Sequence, residues 1–102
     1  MLEQDDPYNE NIVIDLEMIT IKGENNKNTI IDGSSKDDVI HVTYDASVTN
    51  ISGFTIQNSG SSYAGIRTES DYNILTDNQI IGNGNAVIMY KSNGNNIQKK
   101  HN

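Results

Sequence analysis

The chain has 102 residues, a formal net charge of −7 and no cysteine, and 34% of its residues are hydrophobic. This length fits one domain, and the absence of cysteine excludes disulfides, zinc–thiolate sites and cysteine nucleophiles. The acidic balance disfavours nucleic acid and anionic membrane surfaces as partners, because both are bound by basic protein faces.

The residue types favour short strands joined by tight turns. The chain contains fifteen isoleucines and fifteen asparagines but only three leucines. β-branched residues are frequent in strands, and asparagine is frequent in turns. No apolar run approaches the roughly 18 residues of a membrane helix. The first ten residues are polar and acidic, so we expect no signal peptide in this chain.

Short apolar segments recur along the chain in a fixed order. In chain order they are TIID (29–32), VIHVT (39–43), SVTNI (47–51), FTIQN (54–58), AGIRT (64–68), SDYNI (70–74), NQIIGN (78–83), AVIMY (86–90) and NGNNI (93–97). They fall into three classes, and each class returns once in every cycle of the repeat. Each segment is too short to form a stable sheet with its neighbours in sequence.

The repeated Asn-Ile pair predicts how the cycles stack. Its asparagines stand at positions 50, 73 and 96, so that 73 − 50 = 23 and 96 − 73 = 23, and its isoleucines follow them directly. If each cycle lies on the previous one about 4.8 Å away, equivalent strands pair in parallel. We then expect an inner isoleucine column and an asparagine column at a turn: Ile51, Ile74 and Ile97, with Asn50, Asn73 and Asn96.

These patterns predict an all-β fold, a single-stranded right-handed parallel β-helix of about four coils with a 23-residue period. An antiparallel sandwich is the alternative, because Asn-Gly and Asp-Gly pairs also mark hairpins. The constant period favours the β-helix. We expect one repeat domain over residues 1–98, interpreted as part of a longer solenoid, and a tail at 99–102.

The segments YNENIVID, ITIKGEN and NTIIDG, followed by the repeat up to Ile97, resemble the parallel β-helix repeat family. That family includes NosD-like and pectin-lyase-like carbohydrate-binding repeat domains. The resemblance implies the fold, but members range from lyases and hydrolases to surface proteins without activity. It also implies an extracellular or cell-surface location if the chain belongs to a typical member; the residues themselves leave the location unknown.

Alternation along the strands brings one outer row together. With Ile40, Ile66 and Met89 predicted to point inward, His41, Arg67 and Ile88 point outward on successive coils. We take four residues as candidates for substrate binding: His41, Arg67, Glu69 and Tyr90. Tyr63 and Tyr72 are further aromatic side chains near this face, and Arg67 is the only arginine in the chain. A row of ordinary polar residues on a solvated sheet is the competing interpretation.

Catalysis is left open, with the weight of the sequence against it. By resemblance, a lyase would use Arg67 as its base and bind calcium through Asp45, Glu69 or Asp71. No paired carboxylate motif supports this assignment. No cofactor is expected. Calcium binding is left open. Copper binding is disfavoured because the methionines and histidines are scattered along the chain and Met89 is interpreted as a core residue.

The expected function is that of a non-catalytic β-helix module of a surface or secreted protein, either carbohydrate-binding or structural. The alternative is a segment of a polysaccharide lyase or glycoside hydrolase that acts on acidic polysaccharide. Expected partners are polysaccharide and, through the open ends of the coil, further copies of this chain. Nucleic acid and membranes are not expected.

Overall fold

The computed structural model describes residues 8–24, 29–90 and 92–99. The strands are β1 (Tyr8–Asn9), β2 (Ile12–Ile14), β3 (Thr20–Lys22), β4 (Ile30–Asp32), β5 (Ile40–Val42), β6 (Asn50–Ser52), β7 (Thr55–Gln57), β8 (Ala64–Thr68), β9 (Ile74–Ile81), β10 (Asn85–Met89) and β11 (Asn96–Lys99). The described residues form no helix, and so none with the length and hydropathy that a membrane crossing requires.

The strands form three parallel sheets around a common core. Sheet A contains β1, β4, β7 and the second half of β9; sheet B contains β2, β5, β8 and β10; sheet C contains β3, β6, the first half of β9, and β11. The chain passes through A, B and C in turn, four times. It is therefore a parallel β-solenoid of about four coils. Parallel pairing throughout the described strands excludes the antiparallel sandwich. The three predicted classes of segment correspond to the three sheets.

The core is a set of aliphatic columns with one aromatic side chain. In sheet B, Ile40 and Ile66 are fully buried and directly paired. Phe54 is buried at the connection between sheets C and A. The inward and outward assignment in sheet B is confirmed except for Met89. Met89 pairs with Thr68 but is 54% exposed, because it lies in the last coil that the structure describes and none of the described residues covers it there.

The predicted asparagine and isoleucine columns are wrong by one residue in the third coil. Ile51 pairs with Leu75, and Leu75 pairs with Ile97, so the steps along the chain are 75 − 51 = 24 and 97 − 75 = 22. Ile74 is 39% exposed and pairs with both Asn50 and Asn96, so these two asparagines are strand residues and not turn residues. The unequal coil lengths conceal this shift in the sequence, because the mean of the two steps equals the apparent period.

The corner between sheets B and C fixes which residue of each coil enters the core. Each coil turns there through one residue in the left-handed region: Met18, Val48, Tyr72 and Gly94, with φ of 60°, 62°, 59° and 68°. Backbone hydrogen bonds stack the four in one column, since the amide of each of the first three donates to the carbonyl just before the next. Counted from this corner, the third residue is always aliphatic: Ile21, Ile51, Leu75 and Ile97. The corner therefore sets the register of sheet C.

Asparagine side chains, two buried and one half-buried, join the third and fourth coils to the second and third. The side-chain Oδ1 atoms of Asn73, Asn78 and Asn83 accept hydrogen bonds from backbone amides 24 residues earlier, at 2.9, 3.1 and 3.0 Å. Asn78 and Asn83 also donate from Nδ2 to carbonyls 27 residues earlier. Asparagine thus bonds from coil to coil through the backbone of the preceding coil, and of the predicted three only Asn73 takes part in this way.

Of the predicted tail, Lys99 is the last residue of β11, and residues 100–102 lie outside the described residues.

Candidate functional site

Sheet B places the predicted row on one outer face. Cα pairing sets Val13 beside His41, His41 beside Arg67, and Arg67 beside Ile88. We call these four residues the outer row. The prediction that His41, Arg67 and Ile88 lie on successive coils is confirmed. Val13, the member from the first coil, was not predicted.

Arg67 is held by an aspartate of the preceding coil. Its Nε–H donates to Asp38 Oδ2 at 2.8 Å, and Asp38 Oδ1 accepts the backbone amide of Ala64 at the same distance. The side chain of Asp38 is only 3% exposed, whereas that of Arg67 is 26% exposed. The hydrogen bond that Arg67 donates to Asp38, together with the charges of Asp38, Glu69 and Asp37, outweighs burial and raises the pKa of Arg67. The guanidinium is therefore firmly cationic.

His41 pairs with Glu69 across the same two coils. His41 Nε2 lies 2.6 Å from Glu69 Oε1, and the two side chains are 31% and 30% exposed. Glu69 follows β8 directly, and its amide donates to the Val42 carbonyl, which aligns it with the end of β5. The two predicted candidates His41 and Glu69 are thus brought together. Solvent screens this pair, so its contribution to stability is small.

Tyr90 lies next to Glu69 on the following coil. Its amide donates to the Thr68 carbonyl at 2.9 Å, which continues the pairing of β10 with β8 by one residue. Its ring is more than half exposed. The structure therefore gathers the four predicted candidates along the outer face and one end of sheet B. Tyr72 lies apart from them, at the corner column between sheets B and C.

The predicted calcium ligands do not form a site. Within the ranges 8–24, 29–90 and 92–99, no three His, Asp or Glu side chains approach one another closely enough to hold a metal ion. Asp45, Glu69 and Asp71 are therefore not a ligand set. Met89 is exposed and is not paired with His41 in the sheet.

A large cavity lies at the open end of the first coil, away from the outer row. It has a volume of about 610 Å³. Apolar side chains from sheets A, B and C line it, with charged residues also in its lining: Ile12, Ile21, Ile31, Phe54, Glu10 and Lys22. A smaller cavity of about 200 Å³ adjoins Val13 and Leu16. Sequence reasoning identified neither cavity.

Asp38 is the residue that sequence reasoning missed. It lies in the SKDD segment, where the sequence indicates a turn, yet it is buried and bonded to Arg67 and to the Ala64 backbone. The sequence feature that could have identified Asp38 is its position directly before the apolar run VIHV. A carboxylate held at the edge of a buried strand needs a donor partner, and the single arginine was the obvious one.

Asp32, the last residue of β4, provides a second carboxylate of this kind, and it links sheet A to the corner that follows. It accepts hydrogen bonds from the Ser34 amide and from the side chains of Gln57 and Asn58 at 2.8, 3.1 and 3.0 Å. Partial burial acts to raise the pKa of Asp32. The three hydrogen bonds stabilise the ionised form and together outweigh burial, so the pKa is lowered.

A scan against protein-family models finds no match for this chain, and searches of curated proteins and of solved structures find none either.

Proposed function

We propose that this chain is a non-catalytic β-solenoid repeat module with a structural role, as a short rigid unit of a surface or secreted protein. The observation that carries the proposal is that the ionisable groups of the outer row join coils to each other. Asp38 and His41 belong to the second coil, and their partners Arg67 and Glu69 belong to the third. These groups are engaged in contacts between neighbouring coils.

The same contacts argue against catalysis at this face. A lyase base must lose its proton near neutral pH to abstract one from the sugar. Asp38 raises the pKa of Arg67 and so keeps its proton in place. Glu69 is already paired with His41. The groups that the lyase hypothesis requires are therefore in the wrong protonation state or engaged elsewhere.

Turnover assays test this proposal. The purified chain is incubated with uronate-containing and neutral polysaccharides, with and without calcium, and unsaturated products and new reducing ends are followed. We expect no turnover above that of heat-unfolded chain. Turnover that is lost in an Arg67→Ala variant and kept in a Tyr44→Ala control would overturn the proposal.

Polysaccharide binding is a second candidate, and the geometry of Arg67 favours it. Arg67 binds Asp38 through Nε, so its two Nη groups keep their N–H donors without a partner among the described residues. A guanidinium presented in this way suits a carboxylate or hydroxyl oxygen. The exposed ring of Tyr90 follows on the next coil and offers an apolar face for a sugar ring.

Binding without turnover is measured on immobilised glycans or by calorimetry. We expect uronate chains to bind more tightly than neutral chains, and about 10-fold weaker binding of uronate chains by Arg67→Gln. Tyr90→Ala should weaken both chain types, because stacking does not depend on charge. Tyr44→Ala is the matched control, since Tyr44 is also highly exposed but follows β5 outside the outer row. Equal binding by all three variants would refute this candidate.

A further inference from the structure

We propose that copies of this chain associate end to end, with the last coil of one copy stacked on the first coil of the next. The partner is a second copy of the same chain, and the contact continues all three parallel sheets from one copy to the other. This inference rests on the fold and is independent of the proposed function of the outer face.

The two ends of the solenoid carry matching strand edges. In the first coil, β1, β2 and β3 each pair on one side only within the described chain. In the last coil, the same holds for the second half of β9, for β10 and for β11. Each end thus presents one edge from sheet A, one from B and one from C. Strand edges at the end of a sheet bind another strand readily.

Partial burial of the core side chains is confined to these two ends. The buried core has six partly exposed aliphatic neighbours, and they lie in the first and last coils: Ile12, Ile19, Ile21, Ile80, Val87 and Ile97. Their aliphatic counterparts in the middle coils are fully buried. Stacking would continue two columns directly, with Val87 over Ile12 in sheet B and Ile97 over Ile21 in sheet C. It would bury these side chains as the inner coils bury theirs.

The cavity at the first coil is the space into which the next coil fits. Its apolar part is the open end of the core, where Ile12 and Ile21 of the first coil face no further coil among the described residues. An apolar surface of this kind at the end of a repeat array is normally covered by another repeat or by a cap.

The charges of the two ends favour contact between the last coil of one copy and the first coil of another. Residues 8–24 contain four Asp or Glu and one Lys, a net charge of −3. Residues 78–90 and 92–99 contain one Lys and no Asp or Glu, a net charge of +1. Over the described residues, the first coil is therefore negative and the last coil positive. Two first coils would repel each other, whereas a last coil and a first coil attract.

Stacking unlike ends does not close on itself. Each added copy leaves one first coil and one last coil open, so association continues into a linear array. The expected product is a series of oligomers that grows with concentration and weakens with salt, since salt screens the attraction between the ends.

Engineered cysteines in the outer row test the contact directly. The chain has no cysteine of its own, so it gives no background. In a stack, Ile88 of one copy would be the neighbour of Val13 of the next, with Cα atoms about 4.8 Å apart, a distance that a disulfide can bridge. Within one copy the two residues are three strand spacings apart, about 14 Å, which a disulfide cannot bridge. Val13 is 61% exposed, so its replacement costs little core packing.

Four samples are oxidised and run on a non-reducing gel, one of them the Val13→Cys variant alone. The double variant Val13→Cys/Ile88→Cys should give a ladder at multiples of 11.3 kDa. An equimolar mixture of the two single variants should give dimers and nothing larger. A mixture of Ile88→Cys with Tyr44→Cys, whose cysteine lies outside the contact, measures random collision and should stay monomeric.

The outcomes separate the possibilities. Dimers from Val13→Cys alone, as abundant as those from the mixture, would show first-coil-to-first-coil pairing and overturn the proposal. Cross-linking in the mixture no stronger than in the Tyr44→Cys control would also overturn it. Far-UV circular dichroism of each variant establishes that it is folded. Sedimentation of the wild-type chain at low and high salt then gives the second readout, with a lower average mass expected at high salt.

Discussion

Replacing Asn78 tests whether the coils are held together by buried asparagines. Asn78 is almost fully buried, and its side chain accepts a hydrogen bond from the Phe54 amide and donates one to the Ile51 carbonyl. Asn78→Ala removes both bonds between the second and third coils. The Phe54 amide then stays buried without the partner that the structure gives it.

The expected loss in the free energy of unfolding is about 3 kcal/mol. An unsatisfied buried amide costs roughly 1–3 kcal/mol, and the second hydrogen bond contributes about 1 kcal/mol. The missing amide group also leaves a small void, worth about 1 kcal/mol or less. For a domain of this size, such a loss lowers Tm by about 10–25 °C.

Urea unfolding followed by circular dichroism measures this loss. Asn85→Ala is the matched control, since Asn85 is an exposed asparagine of β10, and we expect a change within about 0.5 kcal/mol. If Asn78→Ala were no more costly than Asn85→Ala, the coil-to-coil role of the buried asparagines would be refuted.

Asn78→Asp adds a test that depends on pH. The variant keeps an acceptor for the Phe54 amide, but at neutral pH it sets a carboxylate against the Ile51 carbonyl. Burial and this repulsion raise the pKa of the new carboxyl above its unfolded value of about 3.9. Its deficit relative to wild type is therefore smallest below about pH 4, where the acid is protonated in both states, and it grows as the pH rises through the folded pKa.

Three further predictions concern a titrating carboxylate, a pair of ionic contacts and a corner. The folded pKa of Asp32 is lowered. Its contribution to stability is therefore present above the unfolded pKa of about 3.9 and is lost as the pH falls through the folded pKa. The difference in stability between wild type and Asp32→Asn should accordingly shrink on acidification. Asp38→Asn should cost about 2–3 kcal/mol by urea unfolding, because the carboxylate that binds Arg67 is buried, whereas Glu69→Gln should cost under about 1 kcal/mol, because its contact is solvent-exposed. Val48→Asn should raise stability by about 1 kcal/mol by the same measurement, because Val48 is 44% exposed and has φ of 62°, where asparagine is less strained than valine.

The repeat predicted the fold because a constant period implies that successive cycles stack on one another. Strands that are too short to pair with their sequence neighbours must pair with the next cycle, and this follows from spacing alone. The same reasoning placed His41 next to Arg67, since strand alternation and the repeat together determine which side chains share an outer face.

Register within a coil needed information that the period does not contain. The pairs Asn50-Ile51 and Asn73-Ile74 are identical in sequence, yet one isoleucine is buried and the other is exposed. The difference arises at the corner, where Val48 and Tyr72 adopt the same left-handed conformation. Neither residue type signals that conformation. Only Gly94, in the last coil, marks the corner in the sequence.

The repeat also does not predict which side chains contact the outer row. Asp38 lies in the connection between β4 and β5, and its burial depends on how that connection packs against β8. The pairing of His41 with Glu69 depends on the alignment of Glu69 with the end of β5. Periodicity describes the strands, and these contacts are made by residues that follow or precede them.

The connections between sheets differ in length while the strands remain aligned. From sheet A to sheet B, the chain uses residues 10–11 in the first coil, 33–39 in the second and 82–84 in the last. Residues 34–37 of the second coil are exposed and bond to the connections of the neighbouring coils, and the pairing of β5 with β2 and β8 is undisturbed. Such a scaffold can gain or lose whole loops at its edges during evolution, and a foreign peptide inserted between Gly33 and Asp38 would be displayed without a change of fold.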